Sequence, residues 1–303
     1  MNLWRALDAA GITDPQLRAS YRACRAVNAT HGRTFYLATL LLPPAKRPPV
    51  HALYGFARRA DEIVDAIDPA LDVAERERQL TEWTNLLVRG TGSDPIMPAV
   101  HDTIVRNNIP LGPFDDFLAS MRMDLTTSEY ATWDDLLGYM NGSAAAIGSQ
   151  LVPVLGTVRG AADDAEPYAR TLGLAFQLTN FIRDVGEDLS RGRVYLPKKD
   201  LAAFGVTVDD LSGRKVDANT KALLAFEISR AHKLYESAAP GIELLDPRSR
   251  DCVRTAFRLY RGILDAVERS GYRVLDRRAA VGTPRRIAVA TPAVIRARRA
   301  RRR

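Results

Sequence analysis

The stretch Gln177-Leu178-Thr179-Asn180-Phe181-Ile182-Arg183-Asp184-Val185-Gly186-Glu187-Asp188 decides the fold class. Its polar residues Gln177, Asn180, Asp184 and Asp188 recur at spacings of three, four and four residues, which is the period of one face of an α-helix. Apolar residues fill the other faces, so the pattern predicts a helix that is buried nearly all round. Carboxylates inside a protein need partners, and bound metal ions are a standard compensation for them.

A second acidic helix is predicted about 120 residues earlier. Asp61 and Asp65 are four residues apart and therefore lie on one helical face. Arg58 and Tyr54 continue the same face toward the N-terminus, whereas Glu62 is rotated by about 100° around the helix axis. Two carboxylates on one face repel each other unless a cation lies between them.

Together, the two acidic helices favour a metal site that also binds phosphate. Mg²⁺ prefers hard oxygen ligands and is typically shared between carboxylates and substrate phosphates. Arg58 and Arg183 lie next to the acidic pairs and suit bidentate contacts to diphosphate oxygens. A single acidic pair is more often a solvated charged face, and the residues alone leave that interpretation and the diphosphate–metal site about equally open.

The rest of the chain predicts an all-α protein. The 303 residues are 46% hydrophobic and 26% charged, which is ordinary globular composition. Helical periodicity recurs between Pro and Gly clusters, which indicates ten or so helices, and no GxGxxG or P-loop motif is present. Cys24 and Cys252 form no metal-binding motif, and the N-terminus has no apolar signal segment. No apolar run approaches the ~18 residues that span a bilayer, so we expect a cytoplasmic protein.

Positive charge is concentrated at the C-terminus. Residues 272–303 contain eleven arginines and one aspartate, so this stretch carries a net charge of +10 and the rest of the chain about −3. We predict a helical domain over residues 1–280 and a basic, disordered tail over residues 281–303. The tail could bind an anionic membrane, on the inner face of the plasma membrane, or simply solubilise the protein. Nucleic-acid binding is not expected, because no recognition motif accompanies the arginines.

Both acidic stretches resemble the signatures of the squalene/phytoene synthase family, and most closely those of the bacterial phytoene synthases. The first signature looks like Tyr54–Asp65, and the second like Leu172–Asp188 continuing through Arg191–Pro197. His31–Tyr36 is similar to the family's phosphate-contacting segment, and Asn141–Gly148 resembles its small-residue helix. The likeness runs from about Tyr21 to about Arg273. Glu62 replaces a frequent aspartate, and Gly32 and Thr34 occupy positions where relatives often have serines.

The resemblance implies a helical bundle of the isoprenoid-synthase type around a deep central cavity, and it assigns roles to individual residues. It implies metal binding by Asp61, Asp65, Asn180, Asp184 and Asp188. The implied catalytic residues are Asp61, Asp65, Asp184, Asp188, Arg58, Tyr54 and Tyr260. The implied substrate-binding residues are His31, Arg33, Thr34, Phe35, Arg58, Ala144, Gln177, Asn180, Arg183 and Tyr260. For the minor segments a structural role is the alternative: His31 could be a surface histidine, Ala144 could serve helix packing, and Tyr260 could be a core residue.

The implied activity is Mg²⁺-dependent prenyl transfer, with Mn²⁺ as the alternative metal and no NADPH. Two geranylgeranyl diphosphates would be condensed head to head, through a cyclopropyl (prephytoene) diphosphate, to phytoene for carotenoid biosynthesis. The basic loop Arg191-Gly192-Arg193 could cover the diphosphates or be a plain interhelical turn. Downstream carotenoid enzymes are expected partners.

Two alternatives stay open at this point. A relative acting on farnesyl diphosphate would make presqualene diphosphate, squalene or dehydrosqualene, although the small residues Ala38 and Thr39 favour a longer substrate. A protein of the same fold could instead be a non-catalytic, membrane-peripheral scaffold. Such a scaffold should have lost its aspartates, whereas this chain retains all four.

Overall fold

The structure, a computed structural model, describes residues 3–65, 71–90, 94–213, 216–279 and 281–300, without the side chains of residues 283–287, 290, 298 and 299. These residues form fifteen α-helices, two short 3₁₀ segments (Pro44–Lys46 and Ala239–Leu244) and one π-helical turn (Asn141–Ala145). The helices are α1 Leu3–Ala9, α2 Pro15–His31, α3 Arg33–Thr39, α4 Arg47–Val64, α5 Val73–Arg89, α6 Met97–Asn107, α7 Gly112–Met123, α8 Trp133–Met140, α9 Ala146–Leu155, α10 Ala162–Ser190, α11 Lys198–Ala203, α12 Val208–Ser212, α13 Ala218–Ala238, α14 Pro247–Arg269 and α15 Thr283–Ala300.

The predicted all-α class is confirmed, and the number of helices exceeds the ten or so predicted. The additional helices are short: α1, α3, α11 and α12 have five to seven residues each. Elements of that length contain less than two full turns, so their apolar period cannot be read from sequence. They are fixed by end contacts instead, as in α12, where Thr207 and Asp210 form a reciprocal capping box.

Two apolar cores meet at the middle of the molecule. The first contains α2, α4, α6 and α7, with Phe56 of α4 fully buried among Trp83, Phe114 and Phe117. The second contains α8, α10, α13 and the C-terminal half of α14. Phe176 packs against both cores. The two predicted acidic helices, α4 and α10, therefore belong mainly to different cores.

The small residues of the π-helical turn serve close helix packing. A Cβ on Gly173 of α10 would lie 2.4 Å from the carbonyl oxygen of Ala144, so only glycine permits this approach. Ala144 itself is buried, with 8% of its surface exposed. This close contact therefore fixes how α10 is positioned against the π-helical turn.

Beyond residue 280 the described chain is helical, and the prediction of a disordered tail is wrong for residues 283–300. Ala293 and Ala297 of α15 are buried against α14, and Arg296 Nε lies 2.7 Å from Asp251 Oδ1 of α14. Buried alanines four residues apart form a packing stripe that the many arginines conceal in the sequence. The domain boundary at residue 280 stays a prediction, and Arg301–Arg303 lie outside the described residues.

No described helix is both long enough and apolar enough to cross a membrane.

Candidate active site

The acidic face of α4 is half-buried along its length, through Tyr54, Arg58, Asp61 and Asp65. Asp65 ends the helix, and its backbone N–H donates to the carbonyl of Asp61 at 2.8 Å. The two carboxylates therefore keep the stacked arrangement that their spacing predicts. Arg58, which the sequence predicts to bind diphosphate, donates from Nε to Glu62 Oε1 at 3.1 Å. Glu62, which lies off the acidic face, is therefore its partner here.

The matching face of α10 consists of Gln177, Asn180, Asp184 and Asp188, all half-buried. Asn180 Nδ2 donates to Gln177 Oε1 at 3.4 Å, and Asn180 Oδ1 is buried without a hydrogen-bond partner among the described residues. An unsatisfied buried acceptor costs about 1–3 kcal/mol. A donor or cation placed at this face would remove that cost.

Arginines hold one aspartate of each pair. Arg183 Nε lies 2.7 Å from Asp184 Oδ1, and Arg278 Nε approaches the same oxygen at 2.7 Å. On the other face, Arg193 Nη1 donates to Asp65 Oδ1 at 2.7 Å, and Arg191 lies 3.7 Å from Oδ2. Both aspartates thus already pair with cations that can also bind phosphate oxygens.

The other aspartate of each pair has a strongly raised pKa. Burial, followed by the charge of Asp65, raises the pKa of Asp61 to about 7. Burial, followed by the charge of Asp184, raises the pKa of Asp188 to about 7. These carboxyls gain from any cation that enters between the two helices.

Arg193 connects the two acidic helices. Its side chain hydrogen-bonds Asp65 at the end of α4, and its backbone N–H donates to the carbonyl of Asp188 on α10 at 2.9 Å. Its loop is held by the backbone, because Val194 N donates to Ser128 O at 2.7 Å and Lys198 N to Tyr130 O at 2.9 Å. The basic loop predicted from sequence is therefore docked across the site rather than being a plain turn.

Aromatic rings line the space beside these charges. Phe35 of α3 stacks on Tyr54 with ring centroids 5.6 Å apart, and Phe176 of α10 contacts Tyr260 of α14 at 4.4 Å. Burial raises the pKa of Tyr54 to about 12, and burial also raises the pKa of Tyr260, so both phenols stay neutral. The structure thus places Phe35 against Tyr54 and Phe176 against Tyr260.

The junction of α2 and α3 approaches Tyr54 at Gly32. His31 and Arg33 are exposed, and Thr34 is half-buried. A Cβ on Gly32 would lie 2.7 Å from the ring of Tyr54. Glycine replaces the frequent serine at position 32 for a packing reason, because the ring of Tyr54 occupies the space that a serine side chain would need.

Two charged residues near the site are absent from the sequence predictions. Asp124 follows α7 and accepts a hydrogen bond from the Tyr139 hydroxyl at 2.8 Å. Arg278 belongs to the arginine-rich stretch, where composition favours a tail. No local pattern marks either residue, since Arg278 meets Asp184 across 94 residues of sequence.

The four motif aspartates do not converge on a single point. Among the described residues, the group of three potential ligands whose donor atoms lie within 4.8 Å of one another is His232, Asp265 and Glu268, between α13 and α14. Arg261 Nε already lies 3.2 Å from His232 Nδ1 there. The motif carboxylates instead form two separate pairs, one on α4 and one on α10. Separate pairs suit Mg²⁺ ions that share their coordination with a diphosphate.

Comparison with known proteins agrees with this geometry. A family model described as squalene/phytoene synthase matches residues 28–285. The chain belongs to this family. It is 40% identical to a phytoene synthase of Arthrospira platensis, over 92% of this chain and 94% of that protein. It is also 40% identical to a 15-cis-phytoene synthase of Synechocystis sp., over 88% of this chain and 82% of the relative.

Solved structures of this family share the fold. A dehydrosqualene synthase crystallised with a ligand superposes with a TM-score of 0.81 at 30% identity, covering 91% of this chain and 96% of that one. The predicted family and its helical bundle are thus confirmed. The family includes phytoene synthases and dehydrosqualene synthases, so membership alone does not decide the substrate.

Proposed function

We propose that the protein condenses two geranylgeranyl diphosphates head to head to phytoene, through the cyclopropyl intermediate prephytoene diphosphate. The observation that carries this proposal is the contact of both acidic helices with Arg193, whose side chain hydrogen-bonds Asp65 and whose backbone N–H hydrogen-bonds the carbonyl of Asp188. The 40% identity to phytoene synthases over nine-tenths of the chain supports geranylgeranyl diphosphate as the substrate.

The residues fit divalent cations with hard oxygen ligands. Burial and a neighbouring carboxylate raise the pKa of both Asp61 and Asp188, and Asn180 Oδ1 has no hydrogen-bond partner among the described atoms. Mg²⁺, or Mn²⁺ in its place, would be held by Asp61, Asp65, Asn180, Asp184 and Asp188, and would supply charge neutralisation for the leaving diphosphate.

The chain's own residues perform the remaining tasks. Arg58, Arg183 and Arg193 turn from their carboxylates to the oxygens of the diphosphate that departs. His31, Arg33, Thr34 and Tyr260 bind the second diphosphate.

The aromatic rings beside the acidic faces protect the reacting carbons. Heterolysis of the first C–O bond leaves an allylic cation, which adds to the double bond of the second substrate with loss of a proton. Phe35, Tyr54 and Phe176 exclude water from this cation, and their ring faces stabilise its charge. Departure of the second diphosphate, rearrangement and a further proton loss give the C40 hydrocarbon.

Action on farnesyl diphosphate is the second candidate, because the dehydrosqualene synthase superposes so well. Ala38 and Thr39 follow the phosphate-contacting segment, and both are buried. Their small volume favours the C20 substrate over the C15 one.

The product and its surroundings complete the proposal. The enzyme acts in the cytoplasm and binds peripherally to an anionic membrane through its basic C-terminus. Contact with the membrane suits the product, because a C40 hydrocarbon partitions into lipid. Downstream carotenoid enzymes then take up the product from that membrane.

A product assay tests the substrate. The purified full-length protein is incubated with Mg²⁺ and either geranylgeranyl or farnesyl diphosphate, and the hydrocarbon is identified by mass spectrometry. Phytoene from the C20 substrate is expected. A hydrocarbon only from farnesyl diphosphate would establish the second candidate, and none from either would refute the enzyme.

Substitution of the aspartates tests the metal site. Asp61→Asn or Asp184→Asn should lower turnover by at least about 100-fold, since each removes a charged ligand. Asp115→Asn, on the exposed face of α7, is the matched control and should leave turnover unchanged. Normal turnover in either site variant would contradict the assignment.

A further inference from the structure

The middle of α15 is a run of nine residues without a charge, residues 287–295. Arginines bracket this run at positions 285 and 286 on one side and at positions 296, 298 and 299 on the other. A helix on the surface of a protein normally turns a charged or polar face to water. Over about two and a half turns, α15 has no charged residue on any face.

The protein covers one face of this run. Val289 is half-buried and Ala293 is fully buried, and Ala297 continues the same stripe after one further turn. Arg296 Nε lies 2.7 Å from Asp251 Oδ1 of α14 and pairs with it on this side of the helix. The inner face of α15 is therefore fixed on α14, and its outer face has one direction.

The outer face is exposed and apolar. Ala288, Pro292 and Ile295 are exposed, and their spacing of four and three residues places them along one side of the helix. Ile295 has 50% of its surface exposed, and the adjoining Val294 has 36%. Apolar side chains grouped in this way on a surface mark a site of interaction.

Charge identifies the partner of this face. Residues 272–303 carry a net charge of +10, against about −3 for the rest of the chain. An anionic bilayer presents negative headgroups with hydrocarbon directly beneath them, and a helix with basic ends and an apolar face suits that interface. A nucleic acid would pair with the arginines but would leave Val294 and Ile295 in water.

The inner face of α15 lies beside the candidate active site. Val289 packs against a cluster formed by Leu259, Ile263 and Val281, and Tyr260 packs against the same cluster. The ring of Tyr260 in turn contacts Phe176 of α10 at 4.4 Å. One layer of side chains thus separates α15 from the aromatic rings of the site.

We propose that α15 inserts its outer face, centred on Val294 and Ile295, into an anionic bilayer and so places the Tyr260 side of the active site against lipid. The arginines attract the helix to the surface, and the apolar side chains anchor it there. The inference rests on the proposed function for what then passes between site and lipid, a prenyl chain or its hydrocarbon product, whereas the insertion itself does not depend on it.

A dye at position 295 tests the insertion. Cys24 and Cys252 are both buried, so an environment-sensitive thiol dye labels Ile295→Cys selectively. On adding vesicles of phosphatidylglycerol and phosphatidylcholine, its emission should shift to the blue, and nitroxide groups on the lipid acyl chains should quench it. Val88→Cys on α5, at a position 68% exposed, is the matched control and should show neither effect.

Removal of the apolar side chains tests their contribution to binding. Val294→Ser combined with Ile295→Ser keeps every arginine, and its Tm should stay close to that of the wild type because both positions are exposed. At about 0.3 M salt, where attraction between charges is largely screened, vesicle co-sedimentation should fall at least about tenfold. Val88→Ser combined with Val105→Ser, two exposed valines on α5 and α6, should bind like the wild type.

Turnover tests the link to the active site. Vesicles should raise the multiple-turnover rate of the wild type several-fold and leave the single-turnover rate unchanged, and the double-serine variant should lose this stimulation. Unshifted emission at position 295, or wild-type co-sedimentation of the double-serine variant at about 0.3 M salt, would overturn the proposal and leave a purely electrostatic contact. If the wild type makes no hydrocarbon, the proposed function fails, yet the dye and co-sedimentation results still decide whether α15 inserts.

Discussion

The four motif aspartates differ in how their charge is balanced. Asp65 and Asp184 pair with arginines, whereas Asp61 and Asp188 have pKa values raised to about 7 by burial and by the neighbouring carboxylate. Each acidic pair therefore has one member in an ion pair with arginine and one member whose pKa is raised. Metal binding has to compensate the second member and to release the arginines from the first.

This imbalance predicts a pH dependence. An aspartate with a folded-state pKa near 7 binds a proton that the unfolded chain has already released above about pH 4, so the metal-free protein loses stability as the pH rises from about 4 to 7. Because Mg²⁺ needs ionised ligands, its affinity should fall about tenfold per pH unit below 7 for each carboxyl that must ionise. The rise in Tm on adding Mg²⁺ should be larger at pH 8 than at pH 6.

Differential scanning fluorimetry with and without Mg²⁺ at both pH values measures this effect. Asp188→Asn, which cannot ionise, should reduce the difference between the two pH values. Equal Mg²⁺-induced shifts at pH 6 and pH 8 in the wild type would contradict the explanation.

Single residues show what sequence could and could not predict. Asp61, Asp65, Asp184 and Asp188 were predictable because helical spacing is local information. Their distant partners were not, since Arg193 reaches Asp65 across 128 residues and no periodicity relates such distant positions. Asp124 lacked any local signal for the same reason.

At the scale of helices, α10 is the element that organises the site. One face of α10 carries Gln177, Asn180, Asp184 and Asp188. Other faces pack against α9, α13 and the π-helical turn Asn141–Ala145. Its depth in the molecule is set where Gly173 meets the backbone of Ala144. The pattern of polar and apolar residues predicted α10 itself. It could not predict which helices pack against α10, because those contacts depend on the tertiary fold.

Gly173→Ala should therefore shift α10 and impair the site. The new Cβ would lie 2.4 Å from the Ala144 carbonyl oxygen, which is backbone and cannot yield easily. Overpacking of this kind typically costs about 1–3 kcal/mol. We expect a lower midpoint of urea unfolding and a lower turnover number, although the substitution lies away from the aspartates.

Gly138→Ala in α8 is the matched control for that change. No atom lies within 4 Å of a Cβ at Gly138, so alanine should be neutral or stabilise the helix by about 0.5–1 kcal/mol. If Gly173→Ala proved as stable as this control, the close approach of α10 would not be a packing constraint.

At the scale of the whole molecule, charge and packing divide the C-terminus into two parts. The packed part of α15 covers α14, where Arg296 pairs with Asp251, a residue only 5% exposed. The remaining arginines contribute to a net charge of +10 over residues 272–303, against about −3 for the rest of the chain. The composition of this stretch predicted its positive charge correctly but gave no indication of helix α15.

The charge at the end of the chain should drive membrane binding without supporting the fold. A variant in which the arginines at positions 298, 299, 301, 302 and 303 are all replaced by glutamine keeps Ala293, Arg296 and Ala297 in place. Each basic residue near an anionic surface contributes about 1 kcal/mol, so co-sedimentation with phosphatidylglycerol vesicles at low salt should fall at least tenfold. The Tm should stay close to that of the wild type.

Exposed arginines elsewhere provide the control. Arg5→Gln combined with Arg89→Gln lowers the total charge away from α15 and should leave vesicle binding nearly unchanged. Deletion of residues 283–303 should lower both binding and Tm, because it also uncovers Asp251 and Ile263 on α14. Wild-type vesicle binding in the five-glutamine variant would contradict the membrane role and leave the terminal arginines as solubilising charge.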